Sequence, residues 1–179
     1  YDKKGTIVGM LQKKTRKRSP PTEYSLSSLP SNSFSSIGFA NATTLVAAGS
    51  VWKYLDDGSD QLTAWKESGF IDSAWASGQA ELGYGDGDET TVVSYGGDAS
   101  NKYITTYFRK SFDITDASLY QTLSLNLLYD DGAVVYLNGT ELMRINMPED
   151  TIYFDTLASI GDDFTWYTET FDASLLING

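Results

Sequence analysis

The chain contains neither cysteine nor histidine among its 179 residues. The absence of cysteine excludes a disulfide scaffold, a thiolate zinc site and a cysteine nucleophile. The absence of histidine excludes a Ser-His-Asp triad and removes the commonest ligand of transition metals. The enzyme chemistry that remains is a carboxylate pair or a Lys or Tyr base, and the metal chemistry that remains is an oxygen-ligated Ca²⁺ or Mg²⁺ site.

Long apolar runs are also missing, and positive charge is scarce beyond the first residues. A membrane span needs a run of about 18 apolar residues, and since none occurs we expect no membrane insertion. Residues 1–23 carry seven basic and two acidic groups, a net charge of +5, whereas the remaining 156 residues carry six basic and 22 acidic groups, a net charge of −16. Because so acidic a body repels phosphate, we expect no nucleic-acid partner.

The composition divides the chain into two parts. Residues 1–43 are predicted to be a basic, Ser/Pro-rich arm or linker, in which 6–11 has the length and apolar content of one strand. The basic run 13–18 has no interleaved aromatic residue to stack on bases, so we interpret it as solvated, although phosphate, a membrane surface or the acidic body could attract it. The first residue is Tyr1 and not Met, which suggests a processed or partial product.

Residues 44–179 show the sequence pattern that is typical of an all-β module. Apolar residues alternate with polar ones over 103–114 and 123–129, and further strands are predicted at 133–137, 140–147, 152–157 and 164–171. Asn138-Gly139 predicts a two-residue hairpin turn in which Leu137 opposes Thr140, Val135 opposes Leu142 and Val134 opposes Met143. Short strands at this spacing favour an antiparallel jelly-roll sandwich.

An ordered series of motifs resembles a known group of modules. The series comprises 51–60 (VWKYLDDGSD), Trp65, 70–75 (FIDSAW), 82–88 (LGYGDGD), 103–109 (YITTYFR) and 130–139 (DDGAVVYLNG). It resembles the galactose-binding-like β-jelly-roll accessory modules of secreted bacterial proteins, which sit beside metallophosphoesterases, glycoside hydrolases and lamin-tail-type domains. The resemblance implies a secreted or cell-surface location, and it extends over about residues 44–179.

The resemblance also implies a further strand after Asn178-Gly179, so the jelly roll is expected to be one strand short. We expect that 6–11 could take the place of that strand, in its own chain or in a neighbour's, by addition at an open sheet edge.

Acidic clusters on Gly-rich turns are candidate calcium sites, because Ca²⁺ takes six to eight oxygen ligands from loops. The candidate ligands are Asp56, Asp57, Asp60, Asp86, Asp88 and Glu89, with Asp130-Asp131 as a third cluster. The resemblance implies one structural Ca²⁺ in such modules. The alternative interpretation is turn chemistry, since tight turns favour Asp and Gly in any case.

Aromatic residues are the candidate ligand-binding set, because sugar rings stack their C–H faces on Trp and Tyr. The candidates are Trp65, Tyr84, Tyr95 and a stripe formed by Tyr103, Tyr107 and Arg109 on one face of a strand. Packing inside the sheets is the alternative interpretation. No motif marks a catalytic carboxylate pair, so we expect a non-catalytic module that binds polysaccharide or glycan. The alternative is an assembly module, such as an adhesin, surface-layer or filament subunit, that joins its neighbours through the arm.

Overall fold

The computed structural model describes residues 5–12, 24–30, 42–85, 87–159 and 165–179. These residues form an all-β structure with open, mostly antiparallel sheets, as the alternation predicts. Its strands are β1 (Gly5–Gln12), β2 (Tyr24–Pro30), β3 (Thr43–Val46), β4 (Val51–Leu55), β5 (Ala76–Gln79), β6 (Leu82–Gly83), β7 (Thr91–Val92), β8 (Thr105–Phe112), β9 (Tyr120–Tyr129), β10 (Gly132–Leu137), β11 (Thr140–Ile145) and β12 (Thr165–Asp172). The helical segments described are three single 3₁₀ turns, Ala64–Lys66, Ala117–Leu119 and Ala173–Leu175. No helix in these ranges has the length and apolar character of a membrane span.

The strands are arranged in one six-stranded sheet, one four-stranded sheet and one short pair. The six-stranded sheet has the order β11-β10-β1-β8-β4-β5 and the four-stranded sheet has the order β12-β9-β2-β3. Every pairing in these two sheets is antiparallel, whereas β6 and β7 pair in parallel. Many of the neighbouring strands are far apart in sequence, since β1 pairs with β8 and β10 and β9 pairs with β2 and β12.

The main core lies between the two larger sheets. Ile7, Phe108 and Val135 face it from the six-stranded sheet, and Leu123 and Leu125 face it from the four-stranded sheet. All five side chains are buried, and successive residues on each strand point to opposite faces. The alternation predicted over 103–114 and 123–129 is therefore confirmed, because alternate residues of these strands lie on opposite faces of their sheets.

Two segments of the predicted arm belong to the sheets. β1 lies between β10 and β8 and forms an antiparallel ladder with each of them within this chain, so it occupies the middle of the sheet and not an open edge. Ile7 packs into the main core, which explains why an apolar strand is favoured there. β2, in the Ser-rich segment that we interpreted as a linker, lies between β9 and β3. The basic run 13–18 lies outside the described residues.

The predicted hairpin at Asn138-Gly139 is present, with positive φ at both residues and with Leu137 opposite Thr140. The predicted register beyond it is wrong. A β-bulge between Val135 and Tyr136 places Val135 opposite Met143 and Val134 opposite Arg144. The extra residue in β11 turns Met143 and Ile145 toward the main core, so burial of those apolar side chains accounts for the shift.

The two predicted strands at the C-terminal side differ in outcome. The prediction for 164–171 corresponds to β12, although position 164 lies outside the described residues. The prediction for 152–157 is wrong, because that segment has no strand pairing and runs as an irregular loop. Its apolar residues Ile152 and Phe154 pack on the outer face of the six-stranded sheet instead, which accounts for the apolar content that suggested a strand.

Candidate functional site

The outer face of the six-stranded sheet carries a second apolar cluster that is rich in aromatic rings. Tyr107 from β8 and Tyr136 from β10 lie on this face, and Trp65 from the loop after β4 packs edge-on against both of them. The ring centroids are 4.9 Å apart for Trp65 and Tyr107 and 5.7 Å apart for Trp65 and Tyr136. Edge-to-face contacts of this kind fix the positions of the rings as well as burying them.

A buried arginine holds the loop that contains Trp65 against the sheet. The Arg109 side chain is 2% exposed, and its Nε donates to Asp72 Oδ2 at 3.0 Å. Its Nη1 donates to the carbonyl oxygens of Trp65 and Glu67. Its guanidinium also lies 5.1 Å from the ring centroid of Phe70. A single planar fork therefore satisfies several acceptors of one loop in a fixed geometry, which the flexible point charge of a lysine does not provide.

A second arginine holds the neighbouring loop, which follows β11. Arg144 binds Glu141 in a two-point contact, with Nε–Oε1 at 2.6 Å and Nη2–Oε2 at 2.9 Å. Its Nη1 donates to the carbonyl oxygens of Pro148 and Asp150. Further along, Thr105 Oγ1 donates to the carbonyl oxygen of Phe154 and ties the loop to β8.

Between these two loops lies a cavity of about 170 Å³. Tyr107 and Tyr136 belong to its floor, since both are buried residues of the sheet beneath it. Leu62 and Tyr153 belong to its rim, with 77% and 64% of their surfaces exposed. The full lining consists of Asp60, Leu62, Thr63, Trp65, Lys66, Tyr107, Tyr136, Thr151, Ile152, Tyr153 and Phe154. We call this cavity the aromatic pocket.

The polar groups of the aromatic pocket offer both donors and acceptors. The Nζ of Lys66 lies 4.5 Å from the centroid of the Tyr136 ring, a cation–π distance. The carboxylate of Asp60 accepts from the Leu62 N–H at 2.8 Å through Oδ1. Thr63 and Thr151 also belong to the lining, which therefore combines polar residues with aromatic ones.

Both floor phenols stay protonated over the ordinary pH range. Burial raises the pKa of Tyr107 to about 12; the Gln61 N–H hydrogen bond opposes this rise, and Asp60 and Asp57 add to it. Burial also raises the pKa of Tyr136 to about 12; Glu141 adds to this rise and Arg144 opposes it. Each phenol therefore keeps its O–H, a hydrogen-bond donor, over that range.

Two of the six predicted ligand residues, Trp65 and Tyr107, line the aromatic pocket. The stripe of Tyr103, Tyr107 and Arg109 does not form an open platform, because Tyr107 is only 1% exposed and Arg109 is covered by the loop it holds. The stripe was predicted from alternation alone, which assigns residues to a face but does not show what covers that face.

The other three predicted ligand residues form a separate group beside the turns. The rings of Tyr84 and Tyr95 are 4.9 Å apart, and Lys102 Nζ lies within 5.4 Å of both centroids. Tyr84 is buried, and its pKa is raised by burial and then by Asp130 and Asp131. The ring of Tyr103 packs over Gly58, where φ is +74° and a Cβ would stand 2.4 Å from the ring. Glycine is therefore required at this turn, both for its backbone conformation and for the space.

Three of the predicted calcium ligands, Asp57, Asp60 and Glu89, cap N–H groups of their own turns. Asp56 accepts from the Ser94 N–H, Asp57 accepts from the N–H and hydroxyl of Ser59, and Asp60 accepts from Leu62. Glu89 accepts from the Gly87 N–H, Asp88 is exposed, and Asp86 lies outside the described residues. Within the described ranges, no three acidic groups converge in a way that could hold a metal ion. The hydrogen bonds of Asp57, Asp60 and Glu89 within their own turns fit the turn-chemistry interpretation, and calcium binding stays a prediction.

The sequence analysis missed Tyr136, Lys66 and Tyr153. Tyr136 lies two residues before the hairpin turn, where its alternation with Val135 places it on the outer face, so the signal for its side of the sheet was present. Lys66 and Tyr153 are loop residues, and no periodicity marks them. They reach the aromatic pocket because Arg109 and Arg144 hold their loops in place.

No family model, curated protein or solved structure matches this chain.

Proposed function

We propose that the chain is a non-catalytic carbohydrate-binding module of a secreted or cell-surface protein, and that its two sheets form a jelly roll of the galactose-binding-like type. The observation that carries the proposal is the aromatic pocket, in which Tyr and Trp rings are combined with Lys66, Asp60 and threonine hydroxyls. The motif series quoted above supports the more specific jelly-roll assignment, together with a core shared by two mainly antiparallel sheets.

The chemistry of the aromatic pocket suits a sugar on two counts. A pyranose ring has apolar C–H faces, which stack on an aromatic ring such as that of Tyr153 at the rim. Its hydroxyls both donate and accept hydrogen bonds, so they need a mixed set of partners. Lys66 and the two phenols supply donors, and Asp60 supplies an acceptor.

The lining of the aromatic pocket also supports a non-catalytic role. Glycoside hydrolysis needs two carboxyl groups on either side of the scissile bond. Asp60 is the sole carboxylate among the residues that line this cavity, and its Oδ1 already accepts from Leu62 N–H. We therefore propose binding without bond cleavage, with no part assigned to a calcium ion.

A Tyr153→Ala variant tests this function. Tyr153 is largely exposed, so its removal should leave the free energy of unfolding within about 0.5 kcal/mol of the wild type. Loss of the stacking ring should weaken binding about tenfold or more. The measurement is a glycan-array screen, followed by affinity electrophoresis of both proteins in gels containing the polysaccharides that bind.

The matched control is Trp166→Ala, which removes an aromatic ring that is 50% exposed on β12, in the other sheet. The polysaccharide in the gel should no longer slow the migration of the Tyr153 variant, but it should still slow the migration of the Trp166 variant. The opposite result would place the ligand on the four-stranded sheet and overturn the assigned site. An array with no binding would overturn the function itself.

The assembly alternative has less support from the contacts of β1. β1 forms both of its ladders within its own chain, so the chain does not need a neighbour to complete the six-stranded sheet. We therefore place self-association through the arm second. Sedimentation of the full chain distinguishes the two functions, because an assembly module would change its mass with concentration whereas a glycan-binding module would not need to.

A further inference from the structure

The aromatic pocket is small for a ligand site. Its volume of about 170 Å³ lies below the roughly 300–1,000 Å³ of sites for drug-sized molecules. The loop around Trp65 bounds it on one side and the loop around Phe154 bounds it on the other, and hydrogen bonds to the sheet fix both loops. The cavity therefore has room for one sugar ring, and any further units of a glycan would lie outside the rim.

The lining of the aromatic pocket carries one carboxylate and one ammonium. Near the lining, Asp57 and Glu141 add negative charge and Arg144 adds positive charge. Asp60 lines it, and Asp57 lies three residues earlier in the same turn. Both carboxylates act electrostatically on the phenol of Tyr107 at the floor. Lys66 is the one cation in the lining, and its ammonium is placed over the Tyr136 ring. The surrounding body adds a negative potential, since residues 24–179 carry a net charge of −16.

We propose that the aromatic pocket takes a single uncharged pyranose ring and discriminates against uronic acids and other anionic sugars. This inference rests on the carbohydrate-binding function proposed above. The rings of the pocket contact the apolar faces of the sugar, and the phenol hydroxyls and Lys66 donate to its hydroxyl groups. A carboxylate on the sugar meets Asp60 and Asp57 and lowers the affinity by repulsion.

The test compares neutral and anionic forms of the same sugars. The probes are the methyl pyranosides of glucose, galactose and mannose, the methyl glycosides of glucuronic and galacturonic acid, and a neutral trisaccharide of the best-bound unit. Affinities are measured by calorimetry at low and high salt with the full chain. The neutral pyranoside should bind within about tenfold of the trisaccharide, and the uronide should bind at least about tenfold more weakly than its neutral partner at low salt. Added salt should narrow that difference by screening the repulsion.

A matched pair of variants tests whether Asp60 causes the preference for neutral over anionic sugars. Asp60→Asn keeps the Oδ1 acceptor for Leu62 N–H and removes the charge, so the preference for the neutral sugar should fall to about threefold or less. Asp98→Asn makes the same change in a turn of the same kind, where Oδ1 accepts from Ser100 N–H at 2.8 Å, and it should leave the preference unchanged because Asp98 does not line the pocket.

The two proposals fail in different ways. Binding of a uronide as tightly as the neutral sugar would overturn the inference on charge, and a trisaccharide bound more than about a hundredfold more tightly would overturn the inference on a single ring. Either result would leave the carbohydrate-binding function intact. Absence of binding to every probe and to the glycan array would overturn the function and the inference together.

Discussion

The two faces of the six-stranded sheet are built from the same strands but are covered in different ways. On β8, Phe108 faces inward and is covered by the four-stranded sheet, whereas its neighbours Tyr107 and Arg109 face outward and are covered by loops. Where two sheets pack face to face, their apolar side chains interdigitate and leave little empty space. Loops held by hydrogen bonds to arginines leave a cavity between them. We therefore expect stability to depend mainly on the inner face, and the carbohydrate binding proposed above would use the outer face.

The largest expected effect comes from the inner face. Phe108→Ala removes a fully buried ring from the core between the sheets, and we expect it to lower the free energy of unfolding by about 3–5 kcal/mol. The measurement is urea unfolding followed by tryptophan fluorescence. The control is Phe108→Leu, which keeps most of the apolar volume and should cost clearly less. If the alanine variant lost under about 1 kcal/mol, the inner face would not be the main source of stability.

The inner face could be predicted from the sequence because it depends on a short-range signal. Alternation along β8 and β9 assigns Phe108, Leu123 and Leu125 to a buried side, and the Asn138-Gly139 turn fixes the start of the next hairpin. The bulge between Val135 and Tyr136 could not be predicted, because it depends on which apolar residues of β11 reach the core. That choice is made by packing with the opposite sheet.

The outer face depends on long-range contacts, which explains why the aromatic pocket was found only in part. Tyr107 and Tyr136 share that face although β1 lies between their strands. About a hundred residues of chain separate β1 from the strands with which it pairs. Alternation placed Tyr107 and Arg109 on one side, but nothing in the sequence indicated that a loop would cover them. The acidic turns pose a similar difficulty, because Asp and Gly patterns are alike for turn capping and for calcium.

The stability that comes from the outer face should depend on pH, because that face buries phenols that can ionise. Burial raises the pKa of Tyr107 and of Tyr136 from the ordinary phenol value of 10.0 to about 12 in the folded protein. The unfolded state therefore loses its protons first as the pH rises. Stability due to these groups is fully present below about pH 9, falls between pH 10 and 12, and is lost above that range. Each phenol should contribute a loss of up to about 2–3 kcal/mol.

The measurement is urea unfolding at pH 8, 10 and 11 for the wild type and for Tyr107→Phe and Tyr136→Phe. Each phenylalanine variant should lose less stability on going from pH 8 to 11 than the wild type does. Phe108→Leu is the control, since it changes the inner face and leaves both phenols in place. Identical alkaline losses in all four proteins would mean that the outer face does not depend on protonated phenols.

A smaller change in stability than at Phe108 or at the two phenols is expected at Arg144, which holds one wall of the aromatic pocket from a partly exposed position. Arg144→Lys keeps the charge but loses the two-point contact with Glu141 and the hydrogen bonds to Pro148 and Asp150. We expect a loss of about 0.5–1 kcal/mol in the free energy of unfolding, because ion pairs near the surface contribute little.

The same substitution should have a larger effect on recognition. The 148–150 segment leads directly into Thr151, Ile152 and Tyr153 on the wall of the aromatic pocket, so a loosened loop should weaken glycan binding about three- to tenfold. Lys110→Arg is the control, because Lys110 Nζ binds the Val51 carbonyl away from the pocket lining. A fall in affinity with nearly unchanged stability would separate the roles of the two faces. Unchanged affinity in Arg144→Lys would mean that the wall keeps its shape without this arginine, and that the loop's own packing on Thr105 and the sheet is sufficient.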